Sequence, residues 1–172
     1  GGRVQAFDSA GKFITQWLVD AEMPLRSLAA GRDGTVYIAQ RGNLYKFEGA
    51  TGAALGEVRL PERVYVDDVF TLADGGLALV NSGVAEEILL LNPDESVRLR
   101  IPEVFSANGG RRELSMRVAV DGLGNIYVLG AFNSAVFKFN SEGTFVSRFS
   151  SEGDEPGQLR APEDIAVDGK GN

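Results

Sequence analysis

The chain contains no cysteine and no histidine. Without cysteine there is no disulfide, no thiol nucleophile and no Cys-based zinc site, and this absence fits any compartment. Without histidine the usual general base near neutral pH and the commonest zinc ligand are both missing. Proline is scarce, with 6 in 172 residues. No apolar run approaches the roughly 18 residues that a membrane-spanning helix needs. The opening GGRVQAFDS has neither a basic start nor an apolar stretch, so no leader reads from it. A leader or anchor could have been removed from a longer parent, and the residues name no compartment. Basic residues number 17 against 24 acidic ones, for a net charge of −7. An acidic chain repels phosphate backbones unless its basic groups cluster, so nucleic acid is not expected as a partner.

What is abundant is glycine, 22 residues. Many glycines with few prolines and no low-complexity tract indicate many tight turns rather than disorder. The turns repeat. LAAGRDGTVYIAQ (28–40), VFTLADGGLALVNS (69–82), RVAVDGLGNIYVLG (117–130) and DIAVDGKGN (164–172) align on Gly34, Gly75, Gly124 and Gly171. Each has an alternating apolar run, a tight turn and, in the first three, a second alternating run, which is the signature of a β-hairpin. A second hairpin type interleaves with the first: VQAFDSAGKFITQW (4–17), LYKFEGATGAALGEV (44–58), ILLLNPDESVRLRI (88–101) and VFKFNSEGTFVSRF (136–149). Two hairpins make a four-stranded unit of about 40 to 50 residues, the size of a propeller blade. No stretch shows a 3.6-residue apolar period, so helices should be scarce.

The sequence therefore predicts an all-β chain, a β-propeller of four-stranded antiparallel blades with about four blade equivalents in an incomplete ring. Residues 1–20 read as half a blade, 21–60, 61–101 and 102–150 as three blades, and 151–172 as the start of the next. Turns are expected near Ser9–Gly11, Arg32–Gly34, Ala50–Gly52, Ala73–Gly76, Pro93–Glu95, Gly122–Asn125 and Ser141–Gly143. The aromatic residues Phe7, Phe13, Trp17, Phe47, Phe139, Phe145 and Phe149 sit at period-two positions and read as packing between blades. A naturally short, closed four-bladed ring is the alternative architecture. Open blade edges would favour self-association.

The tail GDEPGQLRAPEDIAVDGKGN resembles the linker and first strand of an NHL-repeat blade, whose pattern runs roughly G-x-x-P-G-Q-Φ-x-x-P-x-x-I-A-V-D-x-x-G-N. Gly153, Pro156, Gly157, Gln158, Leu159, Pro162, Ile165, Ala166, Val167, Asp168, Gly171 and Asn172 fit it. The resemblance extends over the whole chain and is weakest over 59–101. It implies a ring of about six blades, of which this chain is a fragment. Where the family usually places Asp after the second strand, this chain has Gln40, Asn81 or Gly130, and the Arg that usually opens the third strand is clear only at Arg3.

Little in the sequence is arranged for chemistry. Asp67-Asp68 and Glu86-Glu87 are adjacent pairs that alternate faces in a strand, so neither converges on one bond, and both read as solvated loop charges. GDEPG lacks the alternating spacing of a calcium loop and reads as an inter-blade linker. The glycines of DGLGN and DGKGN open no helix, so no phosphate loop is read there. No catalytic residue, metal site or cofactor is expected from these residues. The reading favours a noncatalytic binding or scaffolding propeller whose loop face takes a protein or carbohydrate partner. Loops 18–26, 60–67, 102–116 and 150–163, together with 39–43, 81–87 and 130–135, should share that face, and Arg26, Arg41, Asn81, Arg111, Arg112 and Asn133 are its candidate binding residues. The alternative implied by the resemblance is a propeller enzyme. Lyases of this fold depend on histidine, but a metal-dependent lactonase uses Glu, Asn and Asp, and Asn81, Asn133 and Asp164 lie near strand ends, with the rest of that site outside this chain. NHL propellers of tripartite-motif proteins bind RNA through a basic face, which the acidic balance here does not match.

Overall fold

The computed structural model describes residues 2–20, 22–81, 86–168 and 170–172. It opens with a two-stranded sheet, β1 (Arg3–Phe7) and β2 (Phe13–Leu18). Three four-stranded antiparallel sheets follow. The first holds β3 (Leu25–Ala30), β4 (Thr35–Gln40), β5 (Asn43–Glu48) and β6 (Ala54–Glu57). The second holds β7 (Val66–Thr71), β8 (Leu77–Asn81), β9 (Glu87–Leu91) and β10 (Val97–Ile101). The third holds β11 (Met116–Val120), β12 (Ile126–Gly130), β13 (Ala135–Phe139) and β14 (Phe145–Phe149). In each sheet the strands pair in chain order, as in a propeller blade. Among the described residues the only helical element is a 3₁₀ turn, Ser106–Asn108, and no helix is long and apolar enough to cross a membrane.

The hairpins follow from local turn chemistry. Asp8, Asp121, Asn140 and Asp168 each accept N–H bonds from the residues two and four further on, which closes the turn before any long-range contact forms. Packing then orders the sheets. One apolar cluster joins the second and third blades through Val80, Ile88, Phe105, Val118 and Phe137. Another joins the first and second through Leu44, Val66, Leu79 and Leu89. Val4 and Trp17 of the opening hairpin pack on Ile38 of the first blade. Ile165 and Val167 of the C-terminal segment pack on Tyr127, Leu129 and Val136 of the third. The blades thus follow one another in an open arc. The middle strands β8 (LALVN) and β9 (EILLL) are buried on both faces because a blade lies on each side of them.

Two expectations about packing are corrected. Phe139 and Trp17 are buried, but Phe7, Phe13, Phe145 and Phe149 are exposed. They lie on the opening hairpin and on β14, the outermost strand of its blade, where the chain supplies too few neighbours to cover both faces. The segment DIAVDGKGN closes its turn, with Gly171 N donating to Asp168 O, yet residues 162–168 form no strand because no second strand lies beside them. On the opening hairpin Ile14 and Leu18 lie on the sheet face turned away from the buried Trp17, which is left uncovered, and Phe7 and Phe13 are exposed at its turn. The purified 172-residue chain is therefore expected to associate at micromolar concentration, and Leu18→Lys with Ile14→Lys should shift it toward monomer. Light scattering that reads a monomer at every concentration for the unaltered chain would refute this.

Candidate functional site

The inter-blade loops and the turns between second and third strands meet at one end of the arc. The side chain closing each second strand makes the connection. Gln40 Nε2 donates to Asp20 O and Met23 O, at 2.8 and 2.7 Å. Asn81 Oδ1 accepts Tyr65 N at 3.2 Å, while its Nδ2 donates to Arg63 O and to Glu87. In the third blade the equivalent residue is Gly130, and the direction reverses. Glu113, fully buried, reaches in from the loop. Its Oε1 accepts Leu114 N and Ser115 N, and its Oε2 accepts Phe132 N, Asn133 N and Asn133 Nδ2, all at 2.9–3.1 Å. A Cβ on residue 130 would stand 2.7 Å from that Oε2 and 2.5 Å from Phe105 Cε1, so glycine makes the room. Glu86 makes a similar tie to the next loop, accepting Phe105 N, Ser106 N and Ser106 Oγ.

These carboxylates correct the reading of the acidic pairs as solvated charges. Glu86, Glu87 and Asp68 are all buried. Glu87 takes Arg100 Nη1 on both oxygens. Asp68 lies on the innermost strand of its blade and links three blades: Ser27 Oγ of β3 donates to Oδ1 at 2.6 Å and Val118 N of β11 donates to Oδ2 at 3.0 Å. Alternation along a strand separates neighbouring carboxylates, but in a propeller both faces of the strand are interior.

Burial raises the Asp68 carboxyl above its ordinary value, against the lowering effect of the Ser27 and Val118 hydrogen bonds and of Arg117. A carboxyl raised in the folded state holds its proton more tightly there than in the unfolded chain. Its contribution to stability is full below the ordinary carboxylate value and is lost as pH rises through the raised one. Asp33, Asp74 and Asp168, held low chiefly by turn N–H groups, contribute the opposite way and lose stability as pH falls. The difference between wild type and Asp68→Asn isolates the first effect. Wild type should lose stability relative to the variant as pH rises from 3 to 7, read by urea unfolding across that range. A flat difference would show that Asp68 does not titrate above its unfolded value.

The six candidate binding residues separate into two groups. Arg26, Arg41, Arg111 and Arg112 are exposed at the loop end. Asn81 and Asn133 are buried, and the bonds they make go to the chain itself: Asn133 Oδ1 accepts Arg111 N at 2.8 Å and its Nδ2 donates to Arg111 O. They support the loops from beneath: Asn81 closes its second strand and Asn133 lies in the turn after β12, and both side chains bond to the neighbouring inter-blade loop. Arg111 also donates through Nη2 to Phe132 O at 2.7 Å. Arg26 and Arg41 share one cleft of about 510 Å³, whose walls include Met23, Pro24, Gly42, Tyr65 and Asp67. Arg41 and Gly42 are the two central residues of the β4–β5 hairpin and both have positive φ, as a type I′ turn requires. Arg41 is ion-paired to Asp20. Among the described residues the Arg26 side chain makes no hydrogen bond or ion pair. Tyr65 is 52% exposed, and its ring lies so close to Gly42 that a Cβ there would come within 2.7 Å of it. Tyr65, Met23 and Glu113 were not among the sequence candidates. The available signal was the substitution at position 130, where the two sister blades carry an amide. Asp164 is exposed and accepts the N–H of its own neighbour, Ile165. Among the described residues no group of three Asp or Glu side chains is placed to hold a metal ion.

No protein-family model matches this sequence, and no curated protein matches it. Solved structures do match the fold. Virginiamycin B lyase from Staphylococcus aureus superposes with a TM-score of 0.67 at 13% identity, over 96% of this chain and 53% of that one. A protein of unknown function from Bacteroides caccae gives 0.66 at 16%, over 89% and 56%. BamB from Moraxella catarrhalis gives 0.56 at 18%, over 86% and 42%. The chain spans about half the length of these structures, and at such identities the likeness establishes the fold. With its sheets in chain order and its loops gathered at one end, this is a β-propeller chain.

Proposed function

We propose that this chain belongs to a noncatalytic, NHL-like binding propeller whose loop face holds a protein or carbohydrate partner. The observation that carries this is the cleft at the loop end. It gathers three separate loops around an exposed aromatic ring and a guanidinium with no partner among the described residues, on a scaffold of paired antiparallel strands. A rigid ring with its variable chemistry at one end is how propellers present ligands.

The test is capture of a binding partner followed by alanine scanning. Arg26→Ala, Arg112→Ala and Tyr65→Ala should each weaken binding, by about 1–2 kcal/mol where the residue lies in a hot spot, while leaving the melting temperature unchanged. Changes at the opposite end, such as Asp33→Ala or Asp94→Ala, should leave binding intact. The reverse pattern removes the assignment.

The second reading, an enzyme, draws on the neighbours. One of the matching structures is a catalytically inactive virginiamycin B lyase in which a histidine is replaced by alanine, with quinupristin. The 172 residues here contain no histidine, so lyase chemistry of that kind would have to draw one from outside them. For a lactonase-like metal site, the amides of Asn81 and Asn133 would have to leave the intrachain bonds that hold them. Metal-dependent hydrolysis of a lactone by the protein would favour this reading over the binding one.

A further inference from the structure

The loop-end cleft shows what kind of ligand its walls can recognise. Several of the backbone groups around it are already engaged. Asp20 O and Met23 O accept from Gln40, Gly42 O accepts from Val66 N at 2.9 Å, and Tyr65 N donates to Asn81. An extended peptide, which docks chiefly through main-chain hydrogen bonds, has little to pair with here. What faces the cleft is side chain: the half-exposed Tyr65 ring, the apolar Met23 and Pro24, and the Arg26 guanidinium. The charges are close to balanced, since Asp20 neutralises Arg41 and Asp67 stands in the same wall as Arg26. A strongly anionic group such as phosphate would meet the Asp67 carboxylate as well as the arginines.

We infer that this cleft is a saccharide site, taking a sugar unit that is neutral or carries a single carboxylate; the inference rests on the binding reading above. The electron-rich face of Tyr65 receives the C–H face of a pyranose ring. The planar Arg26 fork donates two parallel bonds to a carboxylate or to neighbouring hydroxyls. A volume of about 510 Å³ lies within the range of small-ligand pockets and accommodates one to two sugar units. The Gly42 backbone holds the ring at its edge and Asn81 fixes the backbone that carries it, so the platform is set before the ligand arrives.

The experiment is calorimetric titration of the whole chain with four probes: a galacturonic-acid oligomer, the matching galactose oligomer, a glutamate-rich peptide and inorganic phosphate. At least one of the two sugars should bind. Tyr65→Ala should weaken that binding about tenfold or more, Tyr65→Phe should retain most of it, and Arg26→Ala should weaken the acidic sugar more than the neutral one. Glu142→Ala, at an exposed turn on the opposite end, should change nothing. If neither sugar binds at about 1 mM, the inference is overturned. It is also overturned if the peptide or phosphate binds more tightly than either sugar, or if binding depends on Arg26 and ignores Tyr65. If a captured protein partner depends on Arg112 and is indifferent to Tyr65, the loop-face reading stands and the saccharide site falls. If capture depends only on the opposite end, both fall.

Discussion

Glu113→Ala is expected to lower the unfolding free energy by about 3–5 kcal/mol, because it strips a fully buried acceptor from four backbone N–H groups and one amide. A net hydrogen bond between neutral groups is worth about 1 kcal/mol, and a bond to a charged acceptor roughly twice that. The larger part of the loss comes from the buried Asn133 N and Nδ2 donors left without an acceptor. Glu113→Gln should recover only part of the deficit. Its amide keeps one acceptor but turns an NH₂ toward N–H groups that need oxygen. For a chain of this size each kcal/mol corresponds to about 2–4 °C in melting temperature, so thermal unfolding resolves both variants. Glu142→Ala, at an exposed hairpin turn, is the control and should shift stability by less than about 0.5 kcal/mol. A loss at Glu113 no larger than at Glu142 would mean that water reaches the seam and takes over those donors.

The same residue shows where sequence reading stops. The hairpins were legible because their signals are local: an Asp or Asn, two or three small or polar residues, and a strand on either side. The order of strands within each sheet was legible for the same reason, since each copy carries its own turn pair. Glu113 sits in a polar loop, GGRRELS, where nothing local distinguishes it from the solvated arginines beside it. Its burial depends on a glycine seventeen positions downstream that leaves space for a carboxylate. The asparagines failed in the opposite direction. Asn81 and Asn133 have the chemistry of a binding residue, but both are buried, one at a strand end and one in the following turn, and are spent on bonds to the inter-blade loops. Tyr65 became visible only with the fold, because its exposure depends on Gly42 from another hairpin and on Asn81 beneath it. Turn chemistry is written over four or five residues, whereas the cleft is written over three segments that meet only when the blades stack.

Aromatic residues divide along the same line, and the division is measurable. Phe139→Ala should cost about 3–5 kcal/mol, whereas Phe149→Ala and Phe13→Ala should cost about 1 kcal/mol or less. All three alternate correctly along amphipathic strands. Phe139 is 1% exposed, in the cluster that joins the second and third blades, with Phe145 edge-on at a centroid distance of 5.7 Å. Truncating it opens a cavity between two sheets that are hydrogen-bonded internally and cannot collapse inward. Phe149 and Phe13 are about half exposed, one at the outer edge of its blade and one on the opening hairpin, and truncation there returns surface to water that it already partly touches. Phe139→Leu should lose clearly less than the alanine change, since most of the buried volume is kept. Urea unfolding of the set under identical conditions provides the comparison, with equal slopes required before midpoints are converted to free energies. If the three alanine changes are equally costly, Phe13 and Phe149 must be buried in the molecule as it exists in solution. In the associated form expected from the uncovered hairpin face, that equality should appear and then fade on dilution, so the concentration dependence of Phe13→Ala separates packing within the chain from packing between copies.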